Sequence, residues 1–371
     1  MDFDFFMPSR VVSGKSCLIN KAELMKQFGS KCGIVTGGTS AKKSGALDDM
    51  KKALDSVGIS YTVFDGIKPN PLTEDCTAAA KQFIDFGADF IVGIGGGSAL
   101  DASKAIAVMT ANPGIENDDI YIKPFVNSPL PIVLVGTSSG TGSEVSAVSV
   151  LTNKSGRKKS IKGPSLYASL VYADSTYTCS MPYSVTVSTA LDALAHAVEG
   201  FFTEKCTDIP TMFAYKGIPL IWKGLNFLLE NRDMLPDEKL REELYMGSLY
   251  AGIVLNACGT AFPHPMGYIL TEHYGIPHGK ACAAFTPALL DRAAVYCPEK
   301  LKQIEKMTGE TAEEIKRKVI LLADIPQIKM TDEQLERYTE RFSPSVPGNF
   351  LATPGGYTYK EAKDLLKSLY Q

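Results

Sequence analysis

The chain has 371 residues, 45% hydrophobic and 21% charged, an ordinary globular composition with length enough for two domains that each bury a core. Its formal net charge of −3 leaves no basic footprint for nucleic acid. No apolar run reaches the roughly 18 residues of a membrane span, and MDFDFFMPSR lacks the basic start of a secretory signal, so the sequence predicts a cytoplasmic protein.

The first twenty residues mix aromatic and β-branched residues with Pro and Gly and predict one or two short strands. KAELMKQFG predicts a short helix closed by Gly29. CGIVT predicts a buried strand leading into Gly37 and Gly38, SGALDDMKKALDSVG a helix stopped at Gly58, and SYTVFDGI the next strand. ADFIVGIGGGSALDASKAIAVMT repeats the order of apolar strand, glycine loop and helix, and LPIVLVGTSSGTGSEVS repeats the strand and loop. Apolar, non-alternating strands interleaved with helices predict a doubly wound parallel sheet, with ligands at the carboxyl ends of its strands. From about residue 183 the pattern is helical to the end, with Thr311/Glu314 and Thr358/Glu361 as capping boxes. The predicted fold is an α/β nucleotide-binding domain over residues 1–182 followed by an all-α domain over 183–371. Eight cysteines (Cys17, Cys32, Cys76, Cys179, Cys206, Cys258, Cys282, Cys297) show no CxxC spacing, so they read as reduced thiols rather than zinc ligands or a disulfide framework.

In GIGGGSALDASKAI, Gly95, Gly96 and Gly97 let the backbone approach a pyrophosphate, and Ser98 with the following helix start adds donors. The spacing is not the GxGxxG fingerprint, so by itself the loop predicts either a phosphate site or a plain tight turn. TSSGTGSE offers Thr137, Ser138 and Thr141 to a nucleotide. Asp192 and His196, in TALDALAHAVEGFF, stand one turn apart on one helix face. FPHPMGYILTEHYGIPHGKA supplies His264 and His278, each beside a proline. The chain has only four histidines, and three imidazoles with one carboxylate suit a divalent metal such as Fe²⁺ or Zn²⁺.

GGGSALDASK, TSSGTGSEVS, ADSTYTCSMP, DALAHAVEGF and the stretch from His264 to the PHG at 277–279 together resemble the iron-containing, or group III, alcohol dehydrogenase family, in the family's order and over nearly the whole chain. The resemblance implies the fold shared with dehydroquinate synthase, a homodimer, and hydride transfer between a nicotinamide cofactor and a small primary alcohol or aldehyde. It implies metal ligation and catalysis by Asp192, His196, His264 and His278. It implies cofactor contacts at Gly96, Gly97, Ser98, Asp101, Thr137, Ser138, Thr141 and Thr178, at Asn70 of KPNPLTED, and at Lys158, with Arg157 and Lys159 as neighbouring registers.

Two departures carry weight. NAD-using relatives have an acid after the strand that ends here in CGIVT, placed to hold the ribose 2′-hydroxyl. This chain has Gly37 there, and Gly38, Ser40 and Lys43 suit a 2′-phosphate, so NADP(H) is expected in preference to NAD(H). Tyr268 stands where many members carry a proton-relaying histidine, and it serves through its hydroxyl, through water, or by packing; His273 reads as a surface residue. Alternative readings are a glycerol-dehydrogenase-like polyol oxidation, a dehydroquinate-synthase-like lyase, which would need a basic pocket, and a non-catalytic metal-stabilised protein.

Overall fold

Residues 32–36 are buried without interruption in the strand Lys31–Thr36 (β2), and every residue of Phe90–Gly95 (β4), Ile132–Gly136 (β5) and Leu170–Ala173 (β8) is buried as well. Strands that hide both faces need cover on both faces, which a parallel sheet with crossover helices supplies. The computed structural model describes residues 3–343 and 346–370. In it these strands join Arg10–Ser13 (β1) and Ser60–Phe64 (β3) in a six-stranded, all-parallel sheet of order β1-β8-β5-β4-β2-β3. The chain leaves β2 for β3 on one side and returns to β4 on the other, so the loops after β2 and β4 flank the topological switch point.

The sheet is linked by α1 (Cys17–Asn20), α2 (Ser40–Lys43), α3 (Ala46–Ser56), α4 (Thr73–Phe86) and α5 (Gly97–Ala111). Alternate residues Cys32 and Ile34, Phe90, Val92 and Ile94, Val133 and Val135, and Leu170 and Tyr172 form one face of the sheet, packed with Leu47, Met50 and Leu54 of α3. The segment predicted as a helix at KAELMKQF is a 3₁₀ helix, Ala22–Phe28. It starts after Lys21, which leaves helical geometry, and stops at Gly29, whose φ is 137°. The basic run around Lys158 lies in an antiparallel hairpin of Val148–Thr152 (β6) and Lys158–Lys162 (β7). The four residues of β8 carry no helix–loop frame in the sequence, and the strand is paired by β1 and β5.

Lys104 is fully buried in α5 and its ammonium donates to Ser143 O (2.8 Å) and Oγ (2.9 Å), Ser146 O (2.9 Å) and Oγ (3.2 Å), and Val148 O (2.7 Å). One cation thereby ties the helix after the glycine loop to the start of the hairpin. Burial pulls this amine down to about 8 against the opposing pull of Asp101 and Glu144. Phe6–Pro182 and Pro236–Leu249 together make this compact unit. The second stretch is held by Arg241 donating to Met181 O (3.0 Å) and Tyr245 Oη to Glu144 (3.3 Å).

The other unit comprises Met1–Phe5, Tyr183–Leu235 and Tyr250–Gln371, and beyond its first five residues every regular element described is helical. Its helices are α6 (Tyr183–Phe202), α7 (Asp208–Glu230), the second half of α8 (Glu238–Cys258), α9 (Pro263–Tyr274), α10 (His278–Ala283), α11 (Thr286–Tyr296), α12 (Pro298–Thr308), α13 (Ala312–Ala323), α14 (Asp332–Thr339), α15 (Gly348–Ala352) and α16 (Tyr359–Tyr370). Sixteen of the twenty residues of α6 are buried, which makes it the core element of this unit. Thr358 and Glu361 cap α16 reciprocally (2.8 and 3.2 Å), and Thr331 with Gln334 caps α14 in the same way. At α13 Thr311 accepts from the Glu314 amide, and the Glu314 side chain pairs instead with Arg317. No helix among the described residues is long and apolar enough to cross a membrane.

Removing the Lys104 ammonium strands buried carbonyl and hydroxyl acceptors without a donor. Lys104→Met is therefore expected to lower unfolding free energy by about 3 kcal/mol, read as a lower urea midpoint; an unchanged midpoint would show that the brace is dispensable.

Candidate functional site

Helix α6 is apolar almost throughout, yet Asp192, His196 and Glu199 are all buried on it, at the i, i+4, i+7 spacing that shares one face. Buried charge needs a partner, since an unpaired ion in the interior is penalised by several kcal/mol. The partners come from α9 and α10. The three imidazole Nε2 atoms lie around one oxygen, Asp192 Oδ1, at 3.9 Å from His196, 3.9 Å from His264 and 3.8 Å from His278. The His196 and His264 rings stack at 4.6 Å, and His278 meets His264 edge-on at 5.6 Å.

Those separations are too long for direct hydrogen bonds. They are close to the roughly 3.4 Å edge of a tetrahedron built from metal–ligand bonds of about 2.1 Å. The donor chemistry fits the same reading. Glu199 Oε1 lies 2.6 Å from His264 Nδ1, and a carboxylate there accepts the Nδ1 proton, which leaves the Nε2 lone pair on the side of Asp192. Glu199 Oε2 accepts the Ala261 N–H at 2.9 Å, so both carboxylate oxygens are engaged. Burial pushes the Glu199 carboxyl up, while His264 and these hydrogen bonds pull it back.

The four residues expected as ligands are thus brought together in one cluster, with Asp192, His196 and His264 buried and His278 partly exposed. Two further residues belong to it that the sequence reading did not single out. Glu199 could have been found as the third polar residue on the stripe that carries Asp192 and His196. Cys282 follows His278 by one helical turn, with Sγ 3.6 Å from His278 Nδ1, and its sulfur lies with donor atoms of Asp192, His264 and His278 within 4.8 Å of one another. Close backbone packing makes the cluster possible. A Cβ on Gly279 would run into Ser188 O and lie 2.8 Å from Asp192 Cβ, so only glycine lets α10 rest against α6 beside His278. Tyr268 stacks on His278 at 5.5 Å and 19°, while the exposed His273 stacks on Tyr338 at 4.0 Å, away from the cluster.

The residues expected at the cofactor all belong to the sheet unit, and most cap the carboxyl ends of its strands. Gly96, Gly97 and Ser98 follow β4, where Ala99 and Leu100 donate back to Gly96 O (3.0 and 3.2 Å) and leave the Gly97 and Ser98 amides ahead of the first bonded turn of α5. Thr137, Ser138 and Thr141 follow β5, with Thr137 N bonded to Gly95 O at 2.9 Å. The two loops interlock: a Cβ on Gly96 would lie 3.2 Å from Ser138 Oγ, and one on Gly97 would strike Thr141. Gly37, Gly38 and Ser40 follow β2. A side chain at Gly37 would collide with the Ile67 carbonyl, so the missing acid is excluded by backbone packing here. Lys42 pairs with Asp65 at 2.9 Å, and Lys43 is exposed.

Asn70, at φ 57°, and Lys158 are drawn together through Thr152, which donates its N–H to Pro71 O at 2.7 Å and faces Lys158 across the hairpin. Lys158 is half-buried and its charge reaches Asp101, whereas Arg157 and Lys159 are exposed. Asp101 itself is engaged within the unit, accepting from Ser143 Oγ (2.5 Å) and Val150 N (2.9 Å). Thr178 is buried and donates to Ser175 O at 2.7 Å.

Residues 8–175 match the model of the iron-containing alcohol dehydrogenase family, and residues 186–329 that of the C-terminal region of the Fe-containing alcohol dehydrogenase family. The 1,3-propanediol dehydrogenase of Citrobacter freundii is 31% identical over 318 residues, covering 84% of this chain and 80% of that one. The sulfoacetaldehyde reductase of Bilophila wadsworthia is 32% identical over 305 residues, 81% of this chain and 77% of that one. Among solved structures, an iron-containing alcohol dehydrogenase of Thermotoga maritima superimposes with a TM-score of 0.90 at 31% identity, over 99% of both chains. The sulfoacetaldehyde reductase of Bifidobacterium kashiwanohense, solved with NAD⁺, does so with a TM-score of 0.86 at 27% identity, over 100% of this chain and 99% of that one. The chain belongs to the iron-containing alcohol dehydrogenase family and is an oxidoreductase of alcohols and aldehydes.

Proposed function

We propose that the protein interconverts a small primary alcohol and its aldehyde with NADP(H), working chiefly as an aldehyde reductase, with a divalent metal on Asp192, His196, His264 and His278. The observation that carries this reading is the placement of three imidazole nitrogens within 3.8–3.9 Å of one buried carboxylate oxygen. Three nitrogens and one oxygen suit Fe²⁺, the metal in the family's name, and Zn²⁺ as well. When bound, the metal supplies Lewis acidity toward the substrate's oxygen, and the nicotinamide supplies or accepts the hydride.

The chain's own residues prepare that chemistry. Asp192 brings one negative charge, which offsets part of the metal's in a buried setting. Glu199 holds the His264 tautomer through Nδ1, leaving Nε2 as the donor. The Tyr268 ring lies nearly parallel to His278, which supports a packing role ahead of a proton relay. In the sheet unit, the Gly96–Ser98 amides and the Thr137–Thr141 hydroxyls suit a pyrophosphate, and Lys158 adds a cation on that side. The small-residue turn Gly37–Gly38 with Ser40 and the exposed Lys43 suits a 2′-phosphate, since no acid stands at position 37 to repel it. Neighbouring Asp65 is already paired with Lys42. The relatives' substrates, 1,3-propanediol and sulfoacetaldehyde by name, support a small hydroxyl or aldehyde group as the reacting centre.

His264→Ala and His278→Ala should each lose bound metal, measured by elemental analysis, together with at least about a thousandfold of kcat/KM. Full turnover by metal-depleted variants would overturn the assignment. Glu199→Gln should weaken metal binding by about ten- to a hundredfold in chelator competition while the ligands stay in place. The ratio of kcat/KM for NADPH over NADH should exceed one in the wild type and fall by about tenfold in Lys43→Glu, the loss of one charge-assisted contact; a ratio below one in the wild type would reverse the cofactor preference and leave the metal site standing.

A further inference from the structure

Cys206 and Cys258 lie far apart in sequence, one in the short turn between α6 and α7, the other the last residue of α8, yet the fold sets them side by side, close enough for each thiol to act on the other's ionisation. One hydrogen bond joins the two segments, and two more shape the turn that carries Cys206. Thr203 Oγ1 donates to Cys258 O at 3.4 Å and to Gly200 O at 2.9 Å, and the Cys206 N–H donates to Thr203 O at 3.2 Å. The Lys300 ammonium closes the turn by donating to Phe201 O (2.8 Å) and Thr203 O (2.9 Å), which sets a positive charge near Cys206. Cys206 is partly exposed and Cys258 fully buried, the arrangement of an attacking thiol and a resolving one.

We propose that Cys206 and Cys258 are a reversible thiol–disulfide pair, oxidised by hydrogen peroxide or another small hydroperoxide. The Cys206 thiolate attacks one peroxide oxygen, the O–O bond breaks, and hydroxide leaves with Cys206 as the sulfenic acid. The Cys258 sulfur then attacks the Cys206 sulfur, the S–O bond breaks, and the departing hydroxide takes the Cys258 proton as water. Two thiols lose two electrons and the peroxide leaves as two waters.

The electrostatics agree with that order of attack. The neighbouring Cys258 thiol, with help from Thr211 at 3.5 Å and from Lys300, draws the Cys206 thiol down to about 7, and the same pairing together with burial pushes Cys258 up. Burial pushes the Cys17, Cys32, Cys76, Cys179 and Cys297 thiols up as well, so exposure alone does not make the exposed Cys179 the better nucleophile. Cys258 lies just before the turn that presents the Ala261 N–H to Glu199, so the bond would tie the α6–α7 turn to the segment that leads to His264.

The test is peroxide titration of the protein as purified, followed by alkylation and intact-mass and peptide mass spectrometry. The expected result is a loss of two alkylatable thiols out of eight, a mass about 2 Da lower, and a linked peptide containing Cys206 and Cys258, all reversed by dithiothreitol. Cys179→Ser should keep the cross-link, whereas Cys206→Ser and Cys258→Ser should each abolish it. Any of three results would overturn the proposal: both thiols still alkylatable after Cys179 has been oxidised, a cross-link joining other cysteines, or Cys206 carried on to the sulfinic acid with Cys258 still a free thiol.

Discussion

Both oxygens of Glu199 are committed inside the helical unit, one to His264 Nδ1 at 2.6 Å and the other to the Ala261 amide at 2.9 Å. The carboxylate sits on α6, the most deeply buried helix of its unit, and its two partners belong to the turn and helix that follow α8. A single buried charge therefore sets the tautomer of one imidazole and the path of the backbone that carries it. Without these partners the carboxylate would be an uncompensated ion in the interior, which disfavours folding by about 3–5 kcal/mol when one side of such a pair is lost. Structure and ligand geometry are specified by the same bond.

Close helix packing then brings the remaining donors to Asp192. Gly279 of α10 faces the backbone of α6, Gly267 of α9 faces Cys282 of α10, and Gly200 of α6 faces Val254 of α8. At each crossing an added Cβ would come within 2.8 Å of a neighbouring atom or closer. Four helices meet at these three crossings where a methyl group would hold them apart, so His264 and His278 reach one oxygen that α6 alone presents. The stacked pairs His196–His264 and Tyr268–His278 fill the space between them and restrict ring rotation.

The sheet unit solves a different problem, that of keeping two glycine loops rigid without side chains of their own to pack. Lys104 and Asp101, one turn apart on α5, bind the segment from Ser143 to Val150, so the helix that starts at the β4 loop is tied to the segment that follows the β5 loop. This accounts for Asp101 lying in the glycine motif while its oxygens serve the protein's own donors. The stability of the loops comes from buried polar bonds behind them, and their outer amides remain for a ligand.

The sequence by itself determined the parallel sheet, the helical second half and the Asp192–His196 pair, because each depends on local rules: apolar runs without alternation, capped amphipathic helices, and an i, i+4 spacing that survives any tertiary context; His264 and His278 were marked by the scarcity of histidines and by the family resemblance. It also carried the glycine loops, whose residue types announce tight backbone before any partner is known. Tertiary structure alone decided the rest. β8 is a strand because β1 and β5 flank it, and residues 236–249 join the sheet unit because Arg241 and Tyr245 find partners there. Cys282 enters the ligand cluster, and Cys206 meets Cys258, only after helices distant in the chain have packed. Periodicity reports which face of an element is buried; it carries no information on which buried face it will meet, and those meetings are where the chemistry is assembled.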